Sequence, residues 1–153
     1  MMVHCRWMIR NDMKSVINIE NLSFEYPWSE REFIQLLRQR DCIGWVAESD
    51  GNVVGFMLYE LLPKQIRLLS IAVHPDFRRN LIGSEMVAKL ISKLNSMRRS
   101  NVVCNVRETS LSSQLFFRSL GFRAVKIEKA FYPDSNEDAY VFKFFAHQEE
   151  NAY

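Results

Sequence analysis

The sequence predicts an α/β domain: a mixed sheet with helices on both faces, in the order β-α-α-β-β-β-α-β-α-β-β. Three observations predict it. Short runs rich in β-branched and aromatic residues alternate with segments of helical period. Asp50-Gly51 between two such runs is a two-residue hairpin turn. Gln65–Val73 becomes continuously apolar at its end, as a strand buried on both faces does, and a long amphipathic segment follows it. At 153 residues the chain reads as one domain over 1–153.

Residues 5–10 read as the first strand, with Trp7 and Ile9 on one face. Asp12 is placed to cap a helix whose apolar positions Met13, Val16, Ile17 and Ile19 lead toward Leu22 and Phe24. Glu25-Tyr26-Pro27-Trp28 breaks it. Ser29 with Glu32 is a capping box, and Trp28 with Phe33 has the spacing of a hydrophobic staple. Phe33, Leu36 and Leu37 form the apolar face of that second helix. Strands over 43–48 and 53–60 flank Asp50-Gly51, and Pro63-Lys64 leads into Gln65–Val73, which His74-Pro75-Asp76 ends.

A helix from Leu81 to about Leu94 follows, carried by Ile82, Met86, Val87, Leu90, Ile91 and Leu94. The next strand covers 101–106. Thr109 or Ser110 can cap a helix carrying Leu111, Leu115, Phe116 and Leu120, which Gly121 stops. Strands over 122–131 and Ala139–Phe145 are joined by Pro133-Asp134-Ser135-Asn136-Glu137-Asp138, and the polar tail 147–153 is expected to fray.

Composition narrows the function. Twenty cations face 18 anions, so the basic stripe of a nucleic-acid binder is not expected. No apolar run approaches the roughly 18 residues of a membrane span, and the N-terminus lacks the long apolar region and cleavage site of a signal peptide. Cys5, Cys42 and Cys104 have no CxxC spacing, so neither a disulfide framework nor a metal site is expected. Cys104, with no histidine near it in sequence, reads as a buried, inert thiol. A reduced, cytoplasmic protein is the expectation.

The most informative stretch is Val73-His74-Pro75-Asp76-Phe77-Arg78-Arg79-Asn80-Leu81-Ile82-Gly83-Ser84, between the buried strand and the long helix. A strand-to-helix turn points backbone N–H groups into one cup at the positive end of the helix dipole. Gly83 permits close approach to the backbone, and Arg78 and Arg79 add charge at the rim. That combination suits a pyrophosphate. The same residues also fit a solvated basic turn ahead of an ordinary helix.

This stretch resembles the acyl-CoA pyrophosphate loop of the GNAT N-acetyltransferases, whose pattern is Gln/Arg-x-x-Gly-x-Gly/Ala. Arg78, Leu81 and Gly83 occupy its defined positions, with Leu81 in place of the usual Gly. Three further segments resemble the bacterial ribosomal-protein-alanine N-acetyltransferases and the catalytic subunits of N-terminal acetyltransferases. They are Tyr26-Pro27-Trp28-Ser29-Glu30, Val106-Arg107-Glu108-Thr109 with Phe117-Arg118-Ser119-Leu120-Gly121-Phe122, and Tyr132-Pro133 through Glu137-Asp138-Ala139. The resemblance implies acetyl-CoA as cosubstrate. Ile71, Ala72 and Val73 would pair with the pantetheine arm, and the N–H groups of Arg79, Asn80, Leu81, Ile82, Gly83 and Ser84 would cradle the pyrophosphate. Ser110 stands where an Asn usually lies beside the CoA arm. Tyr26, Trp28, Tyr132 and Asp138 fall in segments that look like the peptide groove.

The resemblance also implies a Glu acting as base and a Tyr acting as acid, and this chain departs from both. The matching positions hold Asn105 and Phe117. An amide does not titrate usefully and a phenyl ring has no proton to give. Asn105 can hydrogen-bond a water or the substrate, or be an inward strand residue satisfied by backbone. Phe117 fits core or cofactor-arm packing. The resemblance offers Glu25, in the loop between the first two helices that borders the peptide groove in relatives, as a substitute base, beside the reading of a solvated surface Glu. Tyr132 would hold the substrate's first carbonyl or relay a proton, or be a half-buried hairpin Tyr. Without a strong base the chain suits a peptide α-amine, pKa about 7.7–8.0, better than a lysine at about 10.4.

The expected activity is therefore Nα-acetylation of a protein N-terminus, with a small first residue such as Ala and a ribosomal protein as the target the resemblance implies. Two alternatives stand beside it: acetylation of a small amine, and a non-catalytic acyl-CoA-binding module.

Overall fold

The computed structural model describes residues 3–146, and the 147–153 tail lies outside them. The helices and strands follow the predicted order, joined by two short 3-10 turns. Two compact units make up the chain. One is built on residues up to Leu61 together with Leu68–Lys89, the other on Leu62–Arg67 and residues from Leu90 onward. Among the described residues, no helix is long and apolar enough to cross a membrane.

The strands of the first unit lie in the order β1 (His4–Trp7), β2 (Cys42–Ser49), β3 (Asn52–Leu61) and β4 (Gln65–Val73), the last belonging to this unit from Leu68 on. Strands β1 and β3 both run antiparallel to β2. The β2–β3 turn is Asp50-Gly51, with φ of 50° and 81°, the pair of left-handed residues that matches the twist of the flanking strands. The first strand is shorter than predicted. Ile9 N–H donates to Asp12 Oδ2 at 2.8 Å, which folds residues Arg10–Asp12 into a 3-10 turn and stops the strand at Trp7. Trp7 and Ile9 are left exposed.

That bond also changes the role predicted for Asp12. It stands at the N-cap of α1 (Met13–Ser23) without capping it, because its carboxylate is already engaged. Arg6 grips it through two N–H groups, each at 2.8 Å, and reaches Glu48 at 3.1 Å. Met13, Val16 and Ile19 of α1 are buried with Phe33, Val46, Phe56 and Leu58. Leu22 is exposed, and Glu20 takes the interior position beside Ile19 instead. Helix α2 (Glu30–Leu37) starts as the sequence indicates. Ser29 Oγ accepts from Glu32 N–H and Glu32 accepts from Ser29 N–H, both at 3.2 Å. The Trp28 and Phe33 rings meet edge-to-face at 5.4 Å, completing the staple.

Helix α3 (Ile82–Ile91) is shorter than predicted. After Leu90 the N–H groups of Lys93 and Leu94 bond three residues back rather than four, which tightens the chain out of the helix.

In the second unit β5 (Asn101–Arg107) and β6 (Arg123–Glu128) both pair antiparallel with β7 (Ala139–Phe145), which lies between them. Strand β6 ends at Glu128 rather than at 131. The Asp138 carboxylate accepts Ala130 N–H at 2.8 Å and diverts the chain into a loop over 129–138. Helix α4 (Leu111–Ser119) ends in a Schellman motif. Gly121, at φ 95°, donates to Arg118, and Phe122 N–H reaches back to Phe117 at 3.0 Å. The face predicted for α4 is not the buried one. Leu111 and Leu115 are exposed, while Phe117 packs on Phe116, Phe122 and Phe142. Folding back through the Schellman turn presents the 117 side of the helix to β7.

Candidate active site

The β4–α3 connection carries the site residues of the first unit. His74 N–H donates to Val54 at 2.8 Å, and its Nδ1 accepts Asp76 N–H at 3.1 Å, so the imidazole itself caps the turn after β4. Arg78 does not stand free at the rim. Its Nε donates to the Val73 carbonyl at 3.1 Å and an Nη to Ser23 Oγ at 3.2 Å, tying the end of β4 to the end of α1. Asn80 Nδ2 closes the turn on the Phe77 carbonyl at 3.2 Å.

Arg79 and Leu81 both adopt left-handed backbone, φ 69° and 61°. Glycine reaches this region without strain, while a Cβ-bearing residue there is uncommon. Position 81 thus takes a backbone region that glycine enters freely, although it is a leucine, 69% exposed. The N–H groups of Ile82, Gly83 and Ser84 head α3, ahead of the bond from Glu85 to the Leu81 carbonyl. N–H groups in the first turn of a helix are the kind of donors that suit an anion. Ile71 and Val73 are partly exposed on β4 while Ala72 faces the core.

Between α1 and α2, Glu25 is exposed, Tyr26 is 37% exposed and Trp28 is partly buried against Phe33. Glu20, which sequence reasoning missed, lies beneath this loop. Its carboxylate accepts Trp28 N–H at 2.9 Å and Ser70 Oγ at 3.5 Å. Burial pushes its pKa up to about 7, against the pull of those two donors. The signal was present: position 20 continues the Met13–Val16 stripe at helical spacing, so a carboxylate there has to face inward.

In the second unit Asn105 is exposed on β5 opposite Val141, which excludes the inward, backbone-satisfied role. Phe117 is core. Cys104 is buried, and burial drives its thiol pKa well up, as expected of an inert cysteine. Ser110 heads α4, but its hydroxyl meets Ser113 Oγ at 3.0 Å rather than capping the backbone.

Tyr132 belongs to a cluster organised by Arg107. The guanidinium donates to both oxygens of Asp134, at 2.9 and 2.8 Å, to Ser135 Oγ at 3.1 Å and to Glu137 at 3.2 Å. Thr109 Oγ1 donates to the other Glu137 oxygen. Asp138 is structural in its visible contacts: its carboxylate takes Ala130 N–H and Lys129, and its own N–H donates to Glu108 at 3.0 Å. Burial raises the Tyr132 phenol, and the nearby Arg107 charge opposes that rise. Sequence reasoning missed the roles of Arg107, Thr109 and Glu137, whose bonding partners meet only in the fold.

A strand end fixed by an arginine, a turn with two left-handed residues and a helix N-terminus thus follow one another from β4 into α3. The chain belongs to the acetyltransferase (GNAT) family, whose model matches residues 13–122. It is thus an N-acetyltransferase by family, and members of that family use acetyl-CoA. The [ribosomal protein bS18]-alanine N-acetyltransferase of Escherichia coli is 26% identical over 85% of this chain and 88% of its own. An N-alpha-acetyltransferase of Sulfurisphaera tokodaii is 27% identical over 88% of this chain and 90% of its own. The crystal structure of the Escherichia coli ribosomal-protein-S18-alanine N-acetyltransferase has the same fold, with a TM-score of 0.83, 24% identity and 99% of each chain covered.

Proposed function

We propose that the protein transfers the acetyl group of acetyl-CoA to the α-amine of a protein N-terminus, with a small first residue such as alanine. The names of the relatives support the acceptor class. The observation that carries the reading is the 129–138 loop. It is fastened by Arg107, Thr109 and Asp138 and holds Tyr132 half-buried at its head. A small amine needs no such preformed edge, whereas a peptide needs its first residues aligned before its amine reacts.

On this reading the N–H groups of residues 79–84 bind the pyrophosphate, and 71–73 pairs with the arm leading to the acyl group. Acetyl-CoA supplies an activated acyl carbon. The chain's own residues orient the amine, with Tyr132 anchoring the peptide backbone. The amine's lone pair forms the new C–N bond, the C–S bond breaks, and the amine's proton passes to solvent or to the departing thiolate. A ribosomal protein is the acceptor the relatives suggest.

One observation favours a second reading. Phe117 sits in an aromatic cluster where it can give no proton, which suits a module that binds acyl-CoA without turning it over. Assays with peptides beginning Ala-Arg, beside spermidine and an amino sugar, separate the cases. Peptide turnover is expected. CoA binding without turnover of any amine would establish the second reading.

A further inference from the structure

Glu20 is 3% exposed, and three parts of the first unit converge on it. It belongs to α1, one of its oxygens holds the Trp28 N–H at the end of the connecting loop, and the other meets the Ser70 hydroxyl on β4. The chain cannot turn from α1 into α2 without passing this point: Phe24 N–H closes on the Glu20 carbonyl, and Trp28 N–H closes on its side chain. The 24–27 segment is thereby looped out between two bonds to a single residue. A charged group is rarely buried without a partner, because desolvating it is strongly unfavourable. An apolar residue here would fill the same stripe with less penalty, so core packing alone does not account for a carboxylate.

Ser70 directly precedes the 71–73 segment that pairs with the cofactor arm. With the pyrophosphate at 79–84 and the arm running back along β4, residue 70 lies at the acyl end. We propose that Glu20 is a positioning residue for the acceptor: by joining Trp28 to Ser70 it fixes the 24–29 loop beside the carbon that is attacked. This rests on the peptide N-terminal reading above. Glu20 does not itself touch the amine. It sets the loop that does, which is a contribution to binding geometry rather than to proton transfer.

The test compares Glu20→Ala, Glu20→Gln and the milder Ser70→Ala in the full chain. The readouts are amide hydrogen exchange of residues 24–29, the acetyl-CoA Kd by calorimetry, and the kinetics of an Ala-initiated peptide. Glu20→Ala is expected to speed exchange in 24–29 and raise the peptide KM about tenfold, with kcat and acetyl-CoA Kd within about twofold. Ser70→Ala is expected to shift the same KM by a smaller factor. Glu20→Gln should restore both exchange and KM, since its carbonyl can accept Trp28 N–H and its amide can donate to Ser70. Unchanged exchange in Glu20→Ala would overturn the tether. A fall in kcat of about 100-fold in Glu20→Gln would overturn positioning and make Glu20 a proton acceptor. A wild-type protein that turns over no peptide would defeat the acceptor reading and the positioning role with it, while the exchange data would still report whether the tether exists.

Discussion

The guanidinium carbon of Arg107 lies 3.9 Å from the centre of the Tyr132 ring. The cation covers one aromatic face while its N–H groups hold Asp134 and Glu137 of the same loop. One side chain at the end of β5 therefore sets both the loop's path and the ring's orientation, and half-buried cation–π contacts of this kind contribute about 0.5–2 kcal/mol. Arg107→Lys keeps the charge but loses the planar fork that binds a carboxylate through two bonds. The expected outcome is a peptide KM raised several-fold with unchanged acetyl-CoA affinity, measured by initial rates and calorimetry.

Tyr132 itself separates two roles. If its hydroxyl anchors the peptide in ground and transition states alike, Tyr132→Phe raises KM and spares kcat. If it donates the proton that Phe117 cannot, kcat falls by roughly 10²–10⁴. Anchoring is the expected result, because a thiolate leaves with little help while a peptide needs positioning. Wild-type values in both parameters would return Tyr132 to a purely structural role in the loop.

Leu81 sits at φ 61° in the turn between β4 and α3. Left-handed backbone disfavours a leucine by about 1–2 kcal/mol, and glycine removes that strain but gains freedom in the unfolded chain. The freedom gained costs about 0.4–1 kcal/mol, less than the strain removed, so Leu81→Gly should raise the denaturant midpoint slightly. Leu81→Val, branched at Cβ, should lower stability by about 1 kcal/mol or more. Gly83→Leu tests the neighbouring position differently: it should abolish acetyl-CoA binding with the fold intact, and unchanged affinity would remove these donors from the cofactor site.

The parts of this architecture that were legible in sequence are those whose partners lie close along the chain. Ser29 and Glu32, Trp28 and Phe33, and the Asp50-Gly51 turn are all set by residues at most five positions apart, and each formed as read. Gly121 marked the end of α4 for the same reason. The Arg107 cluster was not legible, and of Glu20 only its inward face was. The partners of Arg107 lie 25 to 30 positions away, and Ser70 lies 50 from Glu20. The α4 face failed differently. Leu111 and Leu115 repeat at helical spacing, but burial was decided by the Phe117–Phe122 contact that the Schellman turn creates.

The burial of Glu20 has a consequence for stability. Its pKa rises from 4.5 to about 7 on folding, through burial first and the Glu32 charge as well, while the Trp28 and Ser70 bonds oppose the rise. A carboxyl whose pKa is raised in the folded state stabilises below its unfolded pKa and loses that contribution as pH climbs through the folded value. Wild-type stability should therefore decline between about pH 4.5 and 8 on account of this group, by at most about 3 kcal/mol. Glu20→Gln carries no charge to desolvate. It should be more stable than wild type at pH 8 and lose that advantage near pH 4.5, as read by denaturant unfolding at several pH values.

The pH dependence of the reaction addresses the missing base directly. Asn105 does not titrate and Phe117 is buried, so no group at either position can impose an enzyme pKa on the rate. The amine must then arrive neutral on its own, and a peptide α-amine is about half neutral near pH 7.7–8.0. The value of kcat/KM for an Ala-initiated peptide should rise up to about pH 8 and level off there. The same peptide presenting only a lysine ε-amine, pKa about 10.4, should react far more slowly across this range. Glu25 is exposed in the loop before Tyr26, and Glu25→Gln should leave the profile unchanged. An acid-side inflection that disappears in Glu25→Gln would instead identify this carboxylate as the proton acceptor.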